Sequence, residues 1–178
     1  GIEPNNPGEI REGRLKILNC DLSDAKFKDE FFDVITLNHV FEHVNFPSST
    51  LREINRILKT DGKLIIATPN INSLTASIFG KYWFQLDTPR HLFLYSERTM
   101  MKYAKKEGFI IEKIIYNSTP QQFSGSLAYL TDSFRNKKHL SGNSIKMSKI
   151  LLILFLPVTY LLNFLNMGDQ FEIIMSKM

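Results

Sequence analysis

A short stretch near residue 40 carries side chains that can exchange protons at neutral pH. The apolar run at residues 34–37 (VITL) is followed at once by Asn38 and His39, and then by Glu42 and His43. Imidazole and carboxylate groups are the side chains that most often act as general acids and bases. The sequence therefore predicts that the functional site lies where this apolar run ends.

Two apolar runs must position these side chains. Residues 34–37 are predicted to form a strand that is buried on both faces of a parallel sheet. A second buried strand is predicted at residues 63–68 (KLIIAT), and Pro69-Asn70 ends it. Because ligands bind beyond the carboxyl ends of parallel strands, the polar residues after both strands are expected to share one rim of the sheet.

A helix is predicted between the two strands. Thr50 and Glu53 stand at the spacing of a capping box, and Thr60-Asp61-Gly62 is a stop signal. Strand, helix and strand in this order form a βαβ unit, whose crossover is right-handed.

The remaining elements are predicted from the same local signals. Residues 117–149 are polar and show no regular pattern. The other expected elements are a strand at 15–18, a helix at 73–79, a helix capped by Ser96 and running to Glu107, and strands at 109–116 and 170–176. The predicted core consists of Val34, Ile35, Leu37, Leu51, Ile54, Leu58, Leu64, Ile66, Ile111 and Ile173.

An aromatic segment at residues 81–94 (KYWFQLDTPRHLFL) places Asp87, Arg90 and His91 among aromatic rings. Polar groups among aromatic residues outside regular elements commonly line a pocket or a lid. His91 therefore joins the two imidazoles near residue 40 as a candidate acid-base residue.

Composition limits the class of protein. A chain of 178 residues with 43% hydrophobic and 22% charged residues is typical of a single globular domain. The net charge is +4, and the basic residues are scattered apart from two short clusters, Lys102/Lys105/Lys106 and Arg135/Lys137/Lys138, which is too weak a signal to indicate a nucleic-acid partner. The single cysteine, Cys20, cannot form an internal disulfide, which favours a reducing compartment and a cytoplasmic protein.

Residues 150–165 (ILLILFLPVTYLLNFL) are almost entirely apolar and follow Lys146 and Lys149. This segment is shorter than the roughly twenty residues that span a bilayer, and Pro157 interrupts it. A helix that is apolar on nearly all sides must be buried. We expect it to pack on the domain or on a second copy of the chain, and a peripheral contact with a membrane surface is the alternative.

Taken together, these residues resemble the class I S-adenosylmethionine-dependent methyltransferases, and in particular the methyltransferase type 11/23 group. The resemblance covers roughly residues 1–116 and the final strand. The matching segments are Gly1-Ile2-Glu3-Pro4, Cys20-Asp21-Leu22, FDVITLNHVFEHV at 32–44, the helix that ends in Leu58-Lys59-Thr60-Asp61-Gly62, LIIATPN at 64–70, and LDTPRHLFLYS at 86–96.

The resemblance implies the fold and the domain organisation. It predicts an α/β, Rossmann-like domain over residues 1–178, with a mostly parallel twisted sheet, helices on both faces and an antiparallel last strand. Residues 117–169 would be a variable helical insertion before that strand. The family's first strand and glycine-rich loop should precede Gly1. The resemblance therefore predicts a truncated domain that binds the cofactor weakly or not at all and functions only within a longer protein.

The resemblance also implies residue roles. Glu3 would accept hydrogen bonds from the ribose hydroxyls of S-adenosylmethionine. Asp21 would face the adenine amino group, and Leu22 would lie beside the ring. Asn38 and His39 would lie under the methionine part of the cofactor.

The chemistry itself asks little of the protein, because the sulfonium already makes the methyl group electrophilic and catalysis is mostly in-line positioning. His39, His43 and His91 are the candidates for removing a proton from the acceptor.

Three functions remain open from the sequence. The first is methyl transfer to an oxygen or nitrogen acceptor on a small molecule, sugar or lipid intermediate. The second is a non-catalytic, Rossmann-like binding subunit. The third is an RNA 2′-O-methyltransferase with a metal site made of His39, Glu42, His43 and His91.

In that third case His39 replaces an expected glutamate. Nitrogen ligands suit zinc or another transition metal better than magnesium. A metal-free acid-base cluster is the default expectation.

Overall fold

The computed structural model describes residues 1–4, 8–134 and 149–178. Two groups of strands and five helices make up the regular structure of these residues. In chain order the elements are β1 (Ile10–Glu12), β2 (Leu15–Ile17), β3 (Phe32–Asn38), α1 (Pro47–Ile57), β4 (Leu58–Pro69), α2 (Leu74–Phe79), α3 (Glu97–Lys106), β5 (Phe109–Tyr116), α4 (Gln121–Phe134), α5 (Lys149–Phe164) and β6 (Gln170–Lys177). Short 3₁₀ turns lie at Phe41–His43, Gly80–Tyr82 and Phe84–Leu86.

The main sheet has the strand order β3-β4-β6-β5. Strands β3 and β4 are parallel, and β6 lies between β4 and β5 antiparallel to both. Three strands therefore point one way and the last strand points the other way, with helices flanking the sheet. The predicted Rossmann-like α/β fold and its antiparallel last strand are confirmed.

The amino-terminal strands do not join this sheet. Strands β1 and β2 form an antiparallel hairpin, and Ile2 bridges Leu18 in parallel. Among the described residues, β3 has a strand partner on one side only.

Helix α1 begins and ends earlier than predicted. It starts at Pro47, whose fixed φ suits the first helical turn, and Thr50 lies inside it rather than capping it. It ends at Ile57 instead of at residues 60–62. Leu58 is fully buried and pairs with Phe32 of β3, so burial and strand pairing draw residues 58–62 into β4.

The core is nearly the predicted one. Seven of the predicted side chains are buried, and Ile35 and Ile111 are partly buried against the same cluster. Val34 is an error of the sequence prediction, because its side chain is 52% exposed. Alternate residues of a strand point to opposite faces, and only the face of β3 that carries Ile35 and Leu37 is covered by the described residues. The strand is therefore not buried on both faces.

Helix α3 begins after its predicted cap, Ser96, and helix α2 begins one residue later than predicted, with Ser73 as its cap. The Ser73 and Ser96 hydroxyls accept hydrogen bonds from the N–H groups of Ala76 and Thr99. Helix α4 lies in the region where no pattern was predicted. Its Gly125 packs so closely that an added Cβ would lie 2.4 Å from the Phe84 ring. Glycine is unfavourable within a helix, but here it allows the helix to approach Phe84.

The predicted insertion at 117–169 contains α4 and α5, and its residues 135–148 lie outside the described ones. Helix α5 continues through Pro157. None of the described helices is long and apolar enough to cross a membrane.

Candidate active site

Four chain segments meet at the carboxyl ends of β3 and β4. Residues 38–43 begin at the last residue of β3, and residues 68–70 include the end of β4 and the residue after it. Backbone N–H groups of Leu92 and Phe93 donate to the Glu42 carbonyl, which brings the aromatic segment to the same place. Because β6 is antiparallel, the residues that precede it also lie at this rim. The polar groups after the two parallel strands therefore share one rim, as predicted.

Glu42 is the centre of the polar network at this rim. Its side chain is fully buried. Oε1 accepts a hydrogen bond from His39 Nδ1 at 3.2 Å, and Oε2 accepts one from Thr68 Oγ1 at 3.3 Å. His91 Nε2 lies 3.9 Å from Oε1. These contacts compensate the carboxylate for the hydration that it loses on burial.

His39 is held in an unusual backbone conformation. Its φ is +51°, in the left-handed region, and its N–H donates to the Ala67 carbonyl at 3.0 Å. Such a conformation costs a non-glycine residue roughly 1–3 kcal/mol and is found mostly at functional sites. The hydrogen bond from the imidazole to Glu42 raises the pKa of His39, although burial acts in the opposite direction.

His43 and His91 are oriented by backbone carbonyls. His43 Nδ1 donates to the Arg90 carbonyl at 2.7 Å, and His91 Nδ1 donates to the Gln85 carbonyl at 2.8 Å. A carbonyl can only accept, so each Nδ1 carries the proton and a neutral ring keeps its lone pair on Nε2. Burial lowers the pKa of His91, which leaves that ring neutral at pH 7. The two ring centroids are 4.8 Å apart.

The environment pushes the pKa values of His39 and His91 in opposite directions around one carboxylate. Opposed shifts of this kind assign the acid and base roles at an active site. Neutral His91 can accept a proton, and protonated His39 can place a positive charge at the end of β3.

Asp169 is a site residue that the sequence analysis missed. Burial raises the pKa of its carboxyl group to about 6, although hydrogen bonding to the Ser118 and Trp83 side chains acts to lower it. Among the described residues, Asp169 Oδ2 and Trp83 Nε1 are buried without a hydrogen bond of normal geometry. The sequence could have identified Asp169, because it directly precedes the predicted antiparallel last strand. The start of that strand lies at the same rim as the carboxyl ends of the neighbouring strands.

The backbone around Asp169 is fixed by close packing. Asn70 N–H donates to the Asp169 carbonyl at 2.7 Å, and Asn70 Nδ2 donates to the Gly168 carbonyl at 2.9 Å. A Cβ at Gly168 would lie 2.4 Å from both Asn163 Oδ1 and Ser118 Oγ. A side chain at position 168 would displace Asn163 and Ser118, and the two hydrogen bonds from Asn70 hold Asp169 at the end of β4.

The predicted cofactor residues fall into two groups. Glu3 and Asp21 are exposed and follow the adjacent, parallel segments at Ile2 and Leu18. Leu22 packs against the main core. Asn38 is exposed at the end of β3, next to His39. The first group follows an isolated bridge outside the main sheet, whereas Asn38 ends a strand of the main sheet.

Three of the four predicted metal ligands come together. One ligand atom each from Glu42, His43 and His91 lies within 4.8 Å of the others. Both Nδ1–H groups bond backbone carbonyls, which is how proteins commonly orient metal-binding imidazoles. His39 is not part of this group, and its Nδ1 is hydrogen-bonded to Glu42. The residues therefore fit a metal ion bound by three side chains.

A family model described as a methyltransferase domain matches residues 2–114, which is more than half of the chain. The chain therefore belongs to this methyltransferase family. The assignment to the class I methyltransferases, whose methyl donor is S-adenosylmethionine, is confirmed.

Individual relatives agree with this family. The chain is 29% identical over 121 residues to a ubiquinone biosynthesis O-methyltransferase of Ruegeria sp., covering 60% of this chain and 49% of that protein. It is 50% identical over 48 residues to an uncharacterized protein of Methanocaldococcus jannaschii, covering 27% and 21%. The chain thus spans about half or less of the length of the curated relatives that it matches.

Solved structures share the fold. A Thermotoga maritima methyltransferase described as a possible histamine N-methyltransferase superposes with a TM-score of 0.57 at 20% identity, over 91% of this chain and 63% of that one. A methyltransferase of Archaeoglobus fulgidus that depends on S-adenosylmethionine gives 0.57 at 18% identity, over 93% and 69%.

Proposed function

We propose that this chain forms part of an enzyme that transfers the methyl group of S-adenosylmethionine to an oxygen or nitrogen acceptor on a small molecule, sugar or lipid intermediate. The acceptor's lone pair forms the new bond to the methyl carbon, and the carbon–sulfur bond breaks with its electrons passing to sulfur. The observation that carries the proposal is the buried Glu42 carboxylate, whose Oε1 lies 3.2 Å from His39 Nδ1 and 3.9 Å from His91 Nε2.

Each imidazole has a role in this reaction. His91 Nε2 accepts the acceptor's proton, because its ring is neutral and its other nitrogen is already bonded to the Gln85 carbonyl. His39 and Asn38 contact the methionine part of the cofactor. His43 orients the acceptor from the exposed side of the rim.

The nucleoside part of the cofactor is assigned to the amino-terminal segments. Glu3 binds the ribose hydroxyls, Asp21 binds the adenine amino group, and Leu22 lies beside the adenine ring. The carboxylates of Glu3 and Asp21 are exposed where the parallel segments end, and this is where nucleosides bind in sheets of this type.

Saturation-transfer NMR with S-adenosylhomocysteine tests the cofactor assignment and detects weak binding. We expect adenine and ribose protons to receive saturation from the protein. Asp21→Ala should weaken the adenine signals and Glu3→Ala the ribose signals, whereas the exposed Asp61→Ala is the matched control. Equal spectra for all variants would show that the cofactor does not bind here. Binding without transfer of label from tritiated S-adenosylmethionine to any acceptor would favour the non-catalytic subunit.

Metal-assisted methyl transfer is the second candidate, and it includes the hypothesis of an RNA 2′-O-methyltransferase. Its support is that His91 Nε2 faces Glu42 Oε1 at 3.9 Å and Asp87 Oδ2 at 4.0 Å. A cation placed between these three groups would be attracted to the lone pair and to both carboxylates. Glu42, His43 and His91 would hold the ion, which would polarise the acceptor oxygen.

Elemental analysis of protein purified without chelator tests this candidate. A site of this kind should retain about one zinc or other transition-metal ion per chain. His91→Asn should abolish that binding, whereas His39→Asn should leave it unchanged because His39 lies outside the group. Less than one ion per several wild-type chains would remove the candidate in favour of the metal-free cluster.

The cytoplasmic location and the contact of residues 150–165 with a second copy or a membrane surface stay predictions. The contact is argued below from the surface of α5.

A further inference from the structure

Helix α5 packs on the domain with one face only. Thr159 and Leu162 are buried, Gln122 Nε2 donates to Thr159 Oγ1 at 3.5 Å, and the Phe155 ring stacks on Phe123 with centroids 4.8 Å apart. The predicted packing of this segment on the domain therefore holds for the inner face of the helix.

The outer face of α5 is apolar along its whole length. Each side chain on this outer face is between 37% and 84% exposed, and the outer face consists of Ile150, Ile153, Leu154, Leu156, Val158, Tyr160, Leu161, Phe164 and Leu165. Sixteen helical residues extend about 24 Å. An exposed apolar surface of this extent marks an interaction site.

Charge identifies what covers this face. From residue 133 to residue 168 the sequence contains five Lys or Arg residues and no Asp or Glu. The rest of the chain has 17 basic and 18 acidic residues, so the whole positive excess of the protein belongs to the segment that contains α5. Lys149, the first residue of the helix, is exposed.

We propose that the outer face of α5 docks on the surface of an anionic lipid bilayer, with the helix lying in the plane of the interface. An in-plane apolar helix with neighbouring cations is the usual interfacial anchor, and α5 is too short to span the bilayer. A second copy fits less well. Protein interfaces carry a polar rim, whereas this face is apolar from end to end, and a dimer would bring two positively charged segments into one assembly.

Docking would bring the candidate active site near the lipid. Phe164 is five residues from Asp169, which limits their separation to about 18 Å. Docking would therefore favour a methyl acceptor that resides in the membrane. This consequence rests on the proposed function. Vesicle binding does not, because it is measured without cofactor or acceptor.

Co-sedimentation of the full chain with vesicles tests the docking. We expect binding to phosphatidylcholine vesicles that contain phosphatidylglycerol, little binding to phosphatidylcholine alone, and weaker binding as salt is added. The double variant Ile153→Asp and Leu161→Asp should bind at least about ten-fold more weakly, because it lacks two apolar side chains that the lipid would bury. The affinity of Lys149→Glu for anionic vesicles should fall about five-fold for each unit of positive charge that the protein loses.

Met101→Asp provides the matched control, because Met101 is 51% exposed on α3 and lies outside the outer face of α5. Circular dichroism checks that every variant is folded. Equal binding to neutral and anionic vesicles, or full binding by the double variant, would overturn the proposal. A wild-type dimer in ultracentrifugation that the double variant dissociates, without vesicle binding by either, would assign the face to a second copy instead.

Discussion

Replacing Glu42 with glutamine is expected to lower the raised pKa of His39 towards its ordinary value. The hydrogen bond to the Glu42 carboxylate is the largest cause of the raised pKa, and burial of the ring acts against it. Glutamine keeps the size of the side chain and its oxygen but removes the negative charge. Titration of the four histidine ring signals by NMR, assigned with His39→Asn, measures the change.

The same substitution should reduce stability in a pH-dependent way. A histidine whose pKa is raised in the folded state stabilises the fold fully below its unfolded pKa, and this contribution is lost as pH rises through the folded pKa. Glu42→Gln should therefore cost about 1–2 kcal/mol below pH 6.5, since solvent screens the half-exposed His39, and less at higher pH.

Glu112→Gln is the control for Glu42→Gln, because Glu112 pairs with Lys63 on the surface. Denaturant unfolding at several pH values gives both free energies. An unchanged titration of His39 in Glu42→Gln would show that another group sets its pKa and would remove Glu42 from the centre of the site.

Replacing Asp169 with asparagine is expected to stabilise the folded protein above pH 6. The folded pKa of about 6 exceeds the ordinary value of 3.8, so the buried carboxylate opposes folding when it is charged. The pKa shift corresponds to a gain of about 2–3 kcal/mol in the free energy of unfolding. The gain is partly offset, because the substitution also removes the attraction between Asp169 and His39. The melting temperature should rise by roughly 4–12 °C.

The sign of this effect changes with pH in a defined way. Below pH 3.8 the carboxyl group is protonated in both the folded and the unfolded state, and the variant should gain nothing. The gain should appear as pH rises from about 4 to 6, and it should grow further as His39 loses its proton at higher pH, because the attraction between the two charges is then absent from the wild type. Asp61→Asn, at an exposed position, is the control. Equal stability of Asp169→Asn and wild type at pH 8 would contradict the raised pKa.

The two readouts together test whether Asp169 has a function. A buried carboxylate that weakens the fold and lies at the rim is expected to serve the site. Asp169→Asn should therefore lower the pKa of His39, because the Asp169 charge contributes to raising it. It should also weaken methyl transfer or cofactor binding. A variant that is more stable and equally active would show that Asp169 has no role in the reaction.

Features that depend on neighbouring residues were predictable from the sequence. Strand β5 has the predicted bounds, and the Ser96 cap lies where predicted, because a cap needs only an N–H group three residues away. The cluster at His39, Glu42 and His43 was also visible, since its spacing within one short stretch brings these groups together.

Features that depend on distant residues were decided by the tertiary structure. Strand pairing between Leu58 and Phe32 moved the end of α1, and the lack of cover over one face of β3 exposed Val34. The pKa values of His91 and Asp169 follow from burial among segments far apart in the chain. The sequence by itself determined which groups could do chemistry and the rim at which they meet. Only the packed structure decided their burial, and burial determines which of them are charged.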